Sequence, residues 1–222
     1  MVQFLLKLFL SLLSLFGFAR GFKKEFHCNG IAVNIVRGDI VSQNDVDAIV
    51  NAANQSLKQG GGVCGAIFAK AGKLLKDECD KIIKKCSGGK VPVGSCVITD
   101  GGNLKQQIIH VVAPNFNFRN SMQKSIAFDY AGKKLLKKSY GNLLRLANQK
   151  GVASIAVPFL SGGNFCRRPS DRDELAKIAL KAVFDFCNKD VKRGILKEIR
   201  FVLFSDLDFN LFVNTVNTFK IR

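Results

Sequence analysis

Residues Asp47 to Gly72 read D-A-I-V-N-A-A-N-Q-S-L-K-Q-G-G-G-V-C-G-A-I-F-A-K-A-G. An apolar strand, Ala48 to Val50, runs into two asparagines three apart, Asn51 and Asn54. Gly60, Gly61 and Gly62 follow, and then a helix start rich in small residues, Val63 to Ala71. Strand, polar turn, glycine loop and helix N-terminus in that order make an anion site. Glycine lets backbone N–H groups close on an oxyanion, and the helix end adds its dipole. Three glycines alone equally describe a flexible loop, since glycine's commonest use is to permit unusual dihedrals. The asparagines at the strand's C-terminal end shift the reading toward a ligand, because open α/β sheets bind ligands there.

Working outward, Ile31 to Val36 alternates as a strand, and Arg37-Gly38-Asp39-Ile40 turns out of it. Asp39 at that position is either a cap for the following turn or an acceptor for a ligand amino group. Beyond the glycine loop, apolar residues at spacings of three and four predict one helix from Val63 to Cys86, ended by Ser87-Gly88-Gly89. Ser95–Thr99 and Gln107–Val112 read as strands. The second carries His110, which on an apolar strand reads as a satisfied core residue.

A long amphipathic helix is predicted over Ala127–Gln149. The strand Ala153–Pro158 is a near-continuous apolar run, as a strand buried on both faces is. A second glycine loop, Phe159 to Phe165, then leads into a helix from Ser170 or Asp171 to Cys187, with Ser170 and Asp173 as expected caps. A last strand, Glu198–Phe204, precedes a short helix, Asp206–Asn217.

Strands alternating with helices give an α/β fold, a three-layer α/β/α sandwich with a mostly parallel mixed sheet. Two strand–glycine loop–helix units put two helix N-termini on the same side of that sheet. The pocket they imply takes a diphosphate or a nucleotide, and is built from Asp39, the 51–65 loop and the 161–165 loop.

The chain has 222 residues, which suits one domain with some decoration. Lysine and arginine number 34 against 17 acids, a formal charge of +17. Such a balance favours polyanions or anionic membrane, and equally describes a solvated lysine-rich surface. The lysines fall in short groups (81–85, 133–138, 189–193) and form no long basic tail, so they read as basic helix faces. Seven cysteines with no C-x-x-C, and only two histidines, argue against a zinc site and against a disulfide framework. Reduced thiols in a cytoplasmic environment are the plain reading, and neither metal nor cofactor is expected.

Residues 1–18, M-V-Q-F-L-L-K-L-F-L-S-L-L-S-L-F-G-F, differ from everything else in the chain. The run is short for a membrane span, and it lacks a basic residue before its apolar core. Ala19-Arg20-Gly21 is a poor cleavage site. It reads as a segment for targeting, export or membrane contact, or as a helix packed on the domain. The chain therefore divides into a hydrophobic segment, 1–24, and a globular domain, 25–222.

The motifs of that domain resemble the macrodomain family. The likeness rests on Gly38-Asp39-Ile40, on Val50-Asn51-Ala52-Ala53-Asn54, and on Gly60 to Ile67 (G-G-G-V-C-G-A-I). It continues through Pro92-Val93-Gly94, Ile108 to Pro114, and Val157-Pro158 to Phe165, and spans roughly residues 30–205. In spelling it looks closest to viral-type macrodomains. The resemblance implies binding of ADP-ribose or an ADP-ribosylated protein, often with hydrolysis of ADP-ribosyl esters.

By position, Asp39 would accept from the adenine amino group, with Ile40 beside it and Phe204 packed on the ring. Gly60, Gly61, Gly62, Val63, Cys64 and Gly65 on one side, and Ser161, Gly162, Gly163, Asn164 and Phe165 on the other, would cradle the two phosphates. Phe165 would also sit against the distal ribose. Asn54 would orient that ribose as the catalytic residue, while Asn51 shapes its loop. The alternative is a non-catalytic, monomeric reader of ADP-ribose, poly(ADP-ribose) or RNA.

Three departures from the family's pattern stand out. Several hydrolytic members carry Asp where Cys64 stands, and a neutral thiol cannot replace it in activating water. Asn164 stands where Ile or Val is usual. Gly162 and Cys166-Arg167-Arg168 alter the second loop further.

Overall fold

Apolar side chains recurring at every second strand position build two cores, one on each face of a single sheet. The computed structural model describes residues 23–117, 124–189 and 194–219. The apolar N-terminal run, 1–18, lies outside them. The strands are β1 (Lys23–Cys28), β2 (Ile31–Arg37), β3 (Ala48–Ala52), β4 (Cys96–Thr99), β5 (Gln107–Val111), β6 (Ser154–Val157) and β7 (Glu198–Leu203). Their spatial order is β1-β2-β7-β6-β3-β5-β4. The inner pairs are parallel, and β1 and β4 close the two edges antiparallel to β2 and β5.

The helices are α1 (Gly62–Ala71), α2 (Lys73–Lys85), α3 (Tyr130–Gln149), α4 (Arg172–Lys189) and α5 (Asp206–Thr218). On β3, Ala48 and Val50 join the core made by α3, α4 and α5, while Ile49 joins the core made by α1 and α2. On β6, Ile155 and Val157 face the first core and Ala156 the second. That two-sided cover explains the near-continuous apolar run read in this strand. The three-layer sandwich expected from the sequence is the observed one, and its sheet is mixed and mostly parallel.

Two elements differ from their reading. The helix expected over Val63–Cys86 is two helices, because Gly72 sits at φ 74 and breaks it. That left-handed conformation suits glycine, and the Gly72 N–H closes α1 on Phe68 O at 3.0 Å. The apolar spacing continues across the break, so periodicity alone does not show it. Ahead of α4, the 3-10 turn Pro169–Asp171 takes the place of the expected Ser170 cap. Its buried Asp171 binds Arg167 Nε at 2.9 Å, and Arg168 also reaches it. Both arginines after the second glycine loop are thus held in ion pairs.

His110 is a core residue. It is fully buried on β5, with Asn51 Nδ2 3.0 Å from its Nδ1 and Thr99 Oγ1 3.0 Å from its Nε2. Asn51 is therefore spent on holding β3 to β5. Among the described residues, no helix is long and apolar enough to cross a membrane.

Candidate functional site

Four parallel strands, β2, β3, β6 and β7, deliver their C-terminal ends to one edge of the sheet, where a cleft of about 520 Å³ opens. Every residue assigned above to ligand contact except Gly65, from Asp39 and Ile40 to Phe165 and Phe204, lines this one cleft.

At one end, Asp39 follows β2 and caps the 3-10 turn Ile40–Ser42, its Oδ1 accepting from Val41 N at 3.1 Å. One carboxylate oxygen is thus used by the fold, and Oδ2 has no hydrogen-bond partner among the described residues. The cap reading and the ligand reading are compatible for that reason. Phe204, just after β7, is 73% exposed, an unusual position for a large ring. Arg37 lies over it with the guanidinium carbon 5.8 Å from the ring centroid, and Arg37 Nε is held by Asp206 at 3.0 Å.

In the middle of the cleft the first glycine loop enters α1. Gly61 is the N-cap, no side chain caps the helix, and no acid occupies its first turn. The helix end thus keeps its orphan N–H groups and positive dipole for whatever enters. Gly62 has φ 57 with open space around it, and a side chain there would cost backbone strain.

Asn54 anchors the start of this loop. Its Nδ2 donates to Lys58 O at 2.7 Å, and its Oδ1 accepts from Ser56 Oγ at 2.9 Å and from Lys58 N at 3.2 Å. Cys64 is buried, with Sγ 3.6 Å from Lys58 O. Burial pushes its thiol pKa up, so it stands in the cleft as a neutral group.

Facing α1, the loop Ser161–Phe165 is braced from behind. Ser161 takes φ 59, and its buried Oγ donates to Pro114 O at 2.7 Å. Leu160 N donates to Tyr140 Oη at 3.0 Å, Asn117 Nδ2 donates to Asn164 O at 2.9 Å, and Phe116 N donates to Phe165 O at 2.9 Å. The two loops nearly meet: a Cβ on Gly61 would lie 3.6 Å from Asn164 Nδ2.

Phe159, Arg172 and Asp208 are among the cleft residues that the sequence reading did not assign to the site. Arg172, at the start of α4, is the single basic side chain lining the cleft among the described residues. Its guanidinium lies 5.5 Å from the Phe159 centroid and forms an ion pair with Asp208, which also accepts from Ser205 Oγ at 2.8 Å. The positive character of the cleft therefore comes from backbone N–H groups far more than from side-chain charge. Among the described residues, no cluster of three His, Cys, Asp or Glu side chains is placed to hold a metal.

The Macro domain family model matches residues 50–176, more than half the chain. This chain belongs to the Macro domain family. It is 40% identical over 181 residues to the macro domain-containing protein TTE0995 of Caldanaerobacter subterraneus, covering 81% of this chain and 93% of that protein. It is 36% identical over 181 residues to a protein of Escherichia fergusonii named O-acetyl-ADP-ribose deacetylase, covering 81% and 92%.

Among solved structures, the Oceanobacillus iheyensis macrodomain with ADP superposes with a TM-score of 0.78 at 31% identity, over 90% of this chain and 97% of that one. The Trypanosoma brucei macrodomain in complex with ADP-ribose gives 0.67 at 28%, over 83% and 68%. The Oceanobacillus iheyensis structure thus holds ADP and the Trypanosoma brucei one ADP-ribose.

Proposed function

We propose that this macrodomain hydrolyses mono-ADP-ribosyl esters, either on protein carboxylates or in O-acetyl-ADP-ribose, in the cleft at the C-terminal edge of its sheet. One observation carries the reading: the uncapped N-terminus of α1 stands across the cleft from the Ser161–Phe165 loop, with Asp39 at the end of β2, beyond β7. Opposed N–H donors suit a diphosphate, and an acidic acceptor beside an exposed ring suits adenine. The deacetylase name of the Escherichia fergusonii relative supports the same chemistry.

In this reading the adenine amino group donates to Asp39, Ile40 and Phe204 hold the ring, and the two glycine loops take the phosphates. Asn54 keeps one amide N–H beyond its bond to Lys58, and it orients the distal ribose. A water attacks the ester carbonyl, the acyl C–O bond breaks, and the departing ribose oxygen takes up the proton that the water first gave to the phosphate, leaving the acid and the ribose hydroxyl. The water's proton passes to a phosphate oxygen of the substrate, because Cys64 is a neutral thiol and offers no base.

The second reading, a reader without turnover, is favoured by Cys64 itself and by the formal charge of +17. It takes ADP-ribose, poly(ADP-ribose) or RNA. In both readings the protein acts as a monomer in the cytoplasm, where its seven free thiols stay reduced. Residues 1–24 bring it to a membrane or serve export.

Calorimetry with ADP-ribose tests the site, and release of ADP-ribose from an ADP-ribosylated protein by wild type and Asn54→Ala tests turnover. Micromolar binding, with turnover lost in the variant, is expected. Binding without any wild-type turnover leaves the reader.

A further inference from the structure

Away from the cleft, α3 and α4 leave a second cavity of about 310 Å³ between them, and its rim is basic. Lys134, Lys137, Lys138 and Arg145 of α3 and Lys189 of α4 line it, against one acid among the described residues, Asp185. Lys137 is paired with Asp185, and Arg145 donates to Asn142 Oδ1 at 2.8 Å. Lys134, Lys138 and Lys189 are exposed, and no ion pair engages them among the described residues. Along the helix axis Lys134 and Lys138 are about 6 Å apart, and Arg145 lies about 10 Å further on. The groove thus offers a row of charges, where a single anion would need a converging cluster.

Gly141 lies inside that row. A glycine in the middle of a 20-residue helix costs about 1 kcal/mol relative to alanine. Its φ is an ordinary helical one, so the backbone does not require it. What it supplies is room: the Arg145 guanidinium lies 3.2 Å from where a Cβ would stand. The floor is Ala182 and Phe186, both buried, and among the described residues no exposed aromatic lines the groove. Bases would find no stacking platform, and a membrane-resting helix would carry apolar side chains beside its lysines.

We propose that this groove binds a single-stranded nucleic acid, RNA in the case tested, through its phosphate backbone and without regard to sequence. The three lysines, which form no ion pair among the described residues, contact its phosphates along the groove. The proposal rests on the second reading, in which the protein takes RNA, and it places that RNA away from the cleft, so its failure leaves the ester hydrolase reading untouched.

The test uses the full chain and a fluorescein-labelled 20-nucleotide poly(U) RNA, followed by anisotropy at rising salt. Binding is expected at 50 mM KCl, with log K falling against log salt at a slope of about −2, as three neutralised phosphates of a single strand give. K134E/K138E should lower affinity at least about tenfold, since two of those contacts turn repulsive. Gly141→Gln, which leaves the charge unchanged and fills the slot, should weaken binding too. ADP-ribose binding by calorimetry should be the same in all three proteins, which shows that they are folded. Absence of RNA binding at 50 mM KCl, equal binding by wild type and K134E/K138E, or competition by ADP-ribose overturns the proposal. So does binding to phosphatidylserine vesicles in place of RNA.

Discussion

Asn51 on β3 holds His110 on β5 with its Nδ2 3.0 Å from the ring Nδ1, and both side chains are fully buried. With the amide nitrogen toward the ring, Nδ1 accepts, and the ring proton sits on Nε2 facing Thr99 Oγ1. A second proton on Nδ1 would meet another donor. Burial pushes the His110 pKa down to about 4. The unfolded chain therefore binds this proton more tightly than the folded one, and stability rises with pH between about 4 and 6.5. Above that window the group contributes no penalty.

Acid should therefore destabilise this macrodomain by roughly 3 kcal/mol from His110 alone between pH 6.5 and pH 4, since each pKa unit is worth about 1.4 kcal/mol. Urea unfolding followed at intervals across that range measures it. His110→Gln, which does not titrate, should flatten the slope there while leaving the carboxylate-dependent loss below pH 4 in place. An unchanged slope would show that the ring charges without penalty in the folded protein.

Asp39→Ala should weaken ADP-ribose binding by about 1–3 kcal/mol, the cost of one charge-assisted hydrogen bond. The same change removes the cap on the turn Ile40–Ser42, and a lost cap costs about 1 kcal/mol of stability. Calorimetry and thermal melting read the two losses separately. Asp39→Asn should recover the cap, through its side-chain oxygen, without recovering the full affinity. Equal affinity in all three proteins would remove Asp39 from the adenine site.

Gly162→Ala tests the second loop by packing alone. A Cβ at that position would stand 2.3 Å from the Phe159 ring, which packs edge-on against Phe212 at 4.9 Å and lies under Arg172. The ring cannot retreat cheaply from so many neighbours. The substitution should cost about 1–3 kcal/mol of stability, as overpacking does, and should loosen ADP-ribose binding as the loop shifts. Gly163→Ala is the matched control, because a Cβ there meets nothing within 4 Å.

What the sequence shows and what it hides follow one physical line. The strands that carry the cleft were legible because they are apolar and end in polar or glycine-rich turns. Both glycine loops were legible as conformational punctuation. β1 was not, since only Phe26 and Cys28 of K-K-E-F-H-C are buried, and two apolar residues beside an apolar N-terminal run give no period to read. The break at Gly72 was hidden by apolar spacing that continues through it. Arg172 and Asp208 were hidden for a different reason. Each is an ordinary charge near a helix start, and only the packing of α4 beside α5 brings together residues 36 apart in the chain. Local pattern thus gave the loops that line the cleft, and tertiary packing gave the ion pair in its wall.

That pair sets the last prediction. Asp208 places a carboxylate in a cleft whose proposed ligand carries two phosphates, and Arg172 is the charge that offsets it. Arg172→Ala should therefore weaken ADP-ribose binding by about 1–2 kcal/mol, from a lost cation and an uncovered anion together. Asp208→Ala should leave affinity level or tighten it, because the guanidinium becomes free for phosphate. The two effects should not add: in the double variant the repulsion is gone, and affinity should recover part of the loss seen with Arg172→Ala. A cycle of four calorimetric titrations gives the coupling, and contacting charges of this kind couple by about 0.5–3 kcal/mol. Strict additivity would mean that the pair serves only to dock α4 on α5, and that the phosphates are held by backbone N–H groups alone.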